Sequence, residues 1–249
     1  MLRRFLGVAI VLSIVTLLIY TILLNPGAQA SPKELTVVTR TSGHEEVKAT
    51  LLDGQVKFRL KNNHPETITA FAIYLDDTTI KEDFAYSDVH FGIEPGDTFE
   101  TSYAVSPSRT GELSTLYLIT VLLKNGTWEG NSKVAQGMQD TRLGEKIQIL
   151  RTLRILEKEG QSPKDLKTIK SDIVAALNAG EFETRSILNE LQPSSRSDSK
   201  LSDDLRAGLQ WGRETILQRF EEVEQSATEH REEAFMKLKD RSHKLFAKL

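Results

Sequence analysis

The chain has 249 residues, with 32 Lys and Arg against 35 Asp and Glu, and no cysteine. The missing cysteine excludes disulfides, thiolate catalysis, Cys-containing zinc sites and a lipid-modified N-terminal Cys. The acidic excess reaches five once Arg3 and Arg4 are set aside, and no basic stripe carries interleaved aromatics, so nucleic acid is not the expected partner.

Behind Arg3 and Arg4, an uncharged run from Phe5 to Leu24 reads as a membrane-insertion sequence with the arginines left on the cytoplasmic side. Its length suits a spanning anchor. The breaker Asn25-Pro26-Gly27 and the small residues Ala28 and Ala30, with Ser31 as the new N-terminus, suit a cleaved signal peptide. Both readings place everything from Ser31 onward outside the cytoplasm, in a bacterial periplasm or cell envelope, either free after cleavage or tethered through the uncleaved residues 5–24.

Residues 31–130 read as strands. Val56, Phe58 and Leu60 alternate with Lys57, Arg59 and Lys61, the period of a strand with one buried and one wet face. Asp53-Gly54 is a favoured hairpin turn joining it to a partner at 47–52. Residues 68–75 are apolar on both parities, as in a strand covered on both faces. Further strands are expected at 34–40, 89–93, 99–105 and 116–123, with a short hairpin return through Asn125-Gly126 to Trp128, and the loops between them have turn chemistry.

The strand-turn-strand run from Lys57 to Ile73, followed by Ile93-Glu94-Pro95-Gly96-Asp97, resembles the immunoglobulin-like modules of poorly characterised bacterial exported proteins. The resemblance covers less than half of the chain and lacks the antibody-type cysteine pair. It implies a fold and carries over no functional residue.

Residues 131–192 read as helices. Val134, Met138, Leu143, Ile147, Leu150 and Leu153, widened by Ile149 and Leu156, give an amphipathic helix over 133–159. A second helix is expected to start at Ser162, Pro163 and Asp165 and to end at Gly180, and a third to span 184–191. Pro193 to Lys200 is Ser-rich and reads as a linker. Residues 201–249 contain no proline, so one amphipathic helix of up to about 49 residues, roughly 73 Å long, can form there. Its seam of Leu209, Ile216, Phe220, Val223, Ala227, Ala234, Leu238 and Leu245 suits packing on the 133–159 helix, or a coiled coil through self-association or with a partner protein. The expected fold class is α+β, an N-terminal immunoglobulin-like antiparallel β-sandwich followed by an α-helical region ending in a long helix.

Catalytic patterns are weak. His44, His64, His90, His230 and His243 show no metal-motif spacing and read as loop or surface residues. Ser197 and Lys200 match Ser-x-x-Lys, but in the linker. Asp76 and Asp77 read as a solvated turn, and no cofactor is implied. Tyr103, Tyr117 and Trp128 are the candidate interaction surface, weighed against core or rim packing. The leading expectation is a non-enzymatic interaction or structural protein of the envelope. Behind it stand an envelope hydrolase acting on carbohydrate through two carboxylates, and a membrane-bound sensor.

Overall fold

The computed structural model describes residues 31–86, 92–106, 108–159, 165–192 and 201–249. The expectations for residues 1–30, for the strand positions 89–91 with His90, for Ser162 and Pro163, and for the 193–200 linker with Ser197 and Lys200 lie outside the described residues. Among those described, the protein is α+β, with nine strands in two mainly antiparallel sheets followed by five α-helices. None of these helices is long and apolar enough to cross a membrane.

The strands are β1 (Lys33–Glu34), β2 (Thr36–Thr39), β3 (Glu45–Leu52), β4 (Gln55–Asn62), β5 (Ile68–Leu75), β6 (Thr78–Asp83), β7 (Thr98–Ala104), β8 (Thr115–Leu123) and β9 (Trp128–Gly130). One sheet runs β1-β3-β4-β7; the other runs β2-β8-β5-β6, with β9 also on β8. The strand expected at 34–40 is divided. At the buried Leu35 the chain crosses between sheets, so that β1 pairs antiparallel with β3 while β2 pairs parallel with β8.

Asp53 and Gly54 both take positive φ, 50° and 73°, which closes the β3–β4 hairpin at Leu52 and Gln55 as expected. The alternation in β4 is equally faithful, with Val56, Phe58 and Leu60 buried and Lys57 and Arg59 exposed. These residues meet Phe71, Ile73, Leu116 and Leu118 of the second sheet in the inter-sheet core. Strand β6 has no counterpart in the sequence reading, because Ile80 is its one apolar residue. The turn at Asp76-Asp77 (φ 49° and 59°) lays it against β5, and Arg109 bridges both turn carboxylates.

The helices are α1 (Ser132–Lys158), α2 (Leu166–Leu177), α3 (Glu181–Leu191), α4 (Asp203–Gln225) and α5 (Arg231–Lys248). The cap of α2 is Asp165, accepting from the Lys167 N–H at 3.0 Å. Residues 201–249 form two helices. The chain turns extended at Ser226 and Ala227, and α5 folds back to place Phe235, Leu238 and Leu245 in the core with Phe220 and Val223. The physical reason is length: α1 has 27 residues, roughly 40 Å. A straight helix of 73 Å would leave half its apolar stripe in water.

α1 is buried nearly all round, which an amphipathic pattern does not convey. Its N-terminal turns lie on the outer face of the second sheet, Ala135 and Met138 against Ala70, Ala72, Ile119 and Leu122. This is why both parities of β5 are apolar. On the other side, buried polar groups are largely bonded, the Arg151 Nε being left with only the Glu183 carboxylate at 3.8 Å. Gln148 donates to the carbonyls of Leu177 and Leu209 at 3.0 and 3.1 Å, and Arg151 donates to Gln148 and Thr184 at 3.0 and 2.8 Å.

The α1–α4 contact depends on glycine. A Cβ on Gly208 would lie 2.0 Å from the Thr141 carbonyl oxygen, and one on Gly144 would lie 2.3 Å from that of Leu205. At Gly137 the obstacle is only the Asp204 side chain, 2.8 Å away. Gly-to-Ala exchange inside a helix ordinarily stabilises by about 1 kcal/mol. Urea unfolding of Gly208→Ala is expected to show the reverse, a loss of roughly 1–3 kcal/mol from forced separation of the helices, whereas Gly137→Ala stays neutral or gains.

Candidate functional site

The short strand β9 joins the sheets to the helices and presents different chemistry on its two faces. It is reached by a turn in which Asn125 Oδ1 accepts from the N–H and hydroxyl of Thr127, at 2.9 and 2.6 Å. Glu129 pairs with Val121 and Trp128 with Leu122. Since Val121 faces the inter-sheet core and Leu122 faces α1, Glu129 and Trp128 project oppositely. Gly130, at φ 89°, then brings the backbone so close to Ile119 that a Cβ would meet its oxygen at 2.3 Å. Asn131 follows as the cap of α1.

On the helical side, Trp128 is 44% exposed at the edge of a cleft of about 710 Å³. Leu143, Leu191, Leu201 and Leu205 supply its apolar lining, and Arg142 and Lys146 its cations. Arg142 is committed to Asp83, through two bonds of 2.7 Å, and to the Thr69 carbonyl at 2.9 Å, tying α1 to β5 and β6. Lys146 stands over the Phe246 ring, 4.8 Å from its centroid, and burial lowers its pKa.

The other two aromatic residues expected at an interaction surface sit elsewhere. Tyr103, on β7, packs its ring on Phe58 and donates to Glu82 at 3.1 Å; burial pushes its phenol far above the ordinary value. Tyr117, on β8, meets Tyr74 edge-on and lies under the Arg40 guanidinium. Trp128 is the member of the three that lines the cleft.

On the other face of β9, Glu129 meets two loops. His64 Nε2 lies 3.2 Å and His44 Nδ1 3.9 Å from Glu129 Oε1, while the Ser42 hydroxyl and N–H both donate to Oε2. One ligand atom from each of His44, His64 and Glu129 falls within 4.8 Å of the others. Although burial opposes it, the Ser42 bonds and the two imidazoles hold the Glu129 carboxyl below its ordinary range. Neighbouring Glu45 is shifted the other way, raised chiefly by burial, with Thr41 as the donor to one of its oxygens at 2.6 Å.

Ser42, His44 and Glu129 have the residue types of a hydrolase triad without its wiring. Ser42 donates directly to the carboxylate, and both groups approach the same ring nitrogen of His44, so the imidazole relays nothing between them.

Asn62 positions His64. Fully buried, it donates to the carbonyls of Glu66 and Ile93 at 2.9 and 2.7 Å and accepts from the His64 N–H at 2.8 Å. The β3–β4 register sets Glu45 opposite Asn62, and the Asn63 N–H reaches the His44 carbonyl at 2.8 Å. Counting outward from the Asp53-Gly54 turn would have brought the two histidine loops together. A polar Asn at an inward position of β4 was a second signal, but nothing in the sequence placed Glu129.

Comparison with known protein families, with characterised proteins and with solved structures gives no match to this chain. Asn62→Ala takes the partner from the Glu66 carbonyl and the His64 N–H and one of two donors from the Ile93 carbonyl, which keeps the Ile68 N–H at 3.0 Å, and chemical denaturation is expected to show a loss of roughly 2–4 kcal/mol.

Proposed function

We propose that the chain is an exported or membrane-tethered, non-enzymatic interaction protein of the bacterial cell envelope, in which an immunoglobulin-like sandwich and the helices together hold a protein partner over Trp128. The observation that carries this reading is the cleft itself. An exposed indole stands at its edge, leucines from α1, α3 and α4 line it, and a desolvated ammonium lies within it. Exposed aromatic side chains beside apolar hollows are where binding energy concentrates. The chemistry fits an apolar protein segment carrying an acidic residue to meet Lys146. The crossing of the first strand between two packed sheets supports the immunoglobulin-like assignment, and the apolar run at 5–24 supports export.

A photo-reactive amino acid at position 128, compared with one at the exposed position 57 on the other sheet, tests the proposal in intact cells. The expected result is a discrete adduct from position 128, with an envelope protein or a second copy, that is lost in Leu191→Asp. Adducts equal at both positions, or a chain confined to the cytoplasm, would contradict it.

A further inference from the structure

We propose that His44, His64 and Glu129 form a binding site for one divalent transition-metal ion of the zinc type. The first argument is geometric. Metal–ligand bonds of about 2.0–2.1 Å at tetrahedral angles separate neighbouring ligand atoms by about 3.3 Å. His64 Nε2 and Glu129 Oε1 already stand 3.2 Å apart, and His44 Nδ1 is 3.9 Å from the same oxygen, on a half-exposed side chain that must exchange its 3.2 Å contact with the Ser42 hydroxyl to bind. Two imidazoles and one carboxylate, with a remaining position open to water, match zinc's preferred donors in a chain that has no cysteine.

The second argument is charge. The ion pairs of Glu129 are both to histidines. Beside it lies Glu45, 93% buried by its 7% exposure, whose Oε1 has no hydrogen-bond partner and whose carboxylate feels both Glu129 and His64. Glu129 Oε1 is thus an anionic oxygen held between two imidazoles, a donor set whose charge a divalent cation neutralises. That unmet acceptor adjoins His44 in the chain and is not itself one of the three grouped ligand atoms.

Metal uptake has a specific consequence at His64. The Glu66 N–H donates to Nδ1 at 3.1 Å, which places the proton of a neutral ring on Nε2, toward Glu129. Coordination through Nε2 moves that proton to Nδ1 with no net release, and the Glu66 N–H loses its acceptor. This is a change of tautomer at one ring, with one backbone amide freed. The site joins the β2–β3 loop, the β4–β5 loop and β9, so an ion there would add a direct link among three segments already joined by backbone and side-chain hydrogen bonds.

The test is titration of the full-length protein with zinc chloride, followed calorimetrically and by the imidazole nitrogen shifts of His64. The expected result is one equivalent bound at micromolar concentration or tighter, with the His64 proton passing from Nε2 to Nδ1 and faster exchange of the Glu66 amide. Magnesium should produce none of these changes. His44→Ala, on an exposed side chain, and the isosteric Glu129→Gln each weaken binding at least tenfold, while His243→Ala, on the distant α5, leaves it unchanged. No saturable uptake below about 100 μM, uptake indifferent to His44→Ala and Glu129→Gln, or a His64 tautomer that stays fixed under saturating zinc would each overturn the proposal.

Discussion

The described fold leans on α1, which has to touch a β-sheet on one side and four other helices along the rest of its length. Only small side chains allow such proximity. Ala70 and Ala72 lower the surface of β5 beneath Ala135, and Gly144 and Gly208 remove the side chains between α1 and α4. Over residues 141–153, where none is exposed, the helix cannot turn a polar face to water, so the polar residues there must find partners inside. Gln148 does so by taking the terminal carbonyl of α2 and another in α4, and Arg151 extends the network to α3. The nearly buried Arg142–Asp83 pair completes the attachment to the sheet.

From this position of α1 follow the two faces of β9. The strand is too short to stand alone, and it is held by β8 at one end and by the capped start of α1 at the other. Its pleat directs Trp128 toward the helices and Glu129 toward the loops at the edge of the sheets. The candidate cleft and the candidate metal site are therefore back to back across a single strand, and both depend on where α1 begins.

How legible this was varied with how local the cause is. The β3–β4 hairpin is specified by Asp53-Gly54 and by strict alternation, and both are properties of neighbouring residues. The double burial of β5 was readable from its composition and the extent of α1 from its periodicity, whereas α3 starts at Glu181, three residues before the expected 184. By contrast, β6 is a polar edge strand recruited by a turn. The break at Ser226 contains neither proline nor glycine and exists because the available helical surface ends there. The histidine cluster needed the register of one hairpin combined with a residue from a strand some 65 positions further on, which periodicity cannot supply. The burial of polar residues along α1 was hidden for the same reason: the helices that cover them come later in the chain.

If α1 is the shared layer of both halves, the sheets and helices should lose their structure together. The two tryptophans make this directly measurable, since Trp128 reports from the sheet and Trp211 from α4. Unfolding of Trp128→Phe and Trp211→Phe by urea, each followed through the remaining indole, should give coincident midpoints after allowance for the stability of each variant by circular dichroism. A helical transition well separated from that of the sheet would contradict the account.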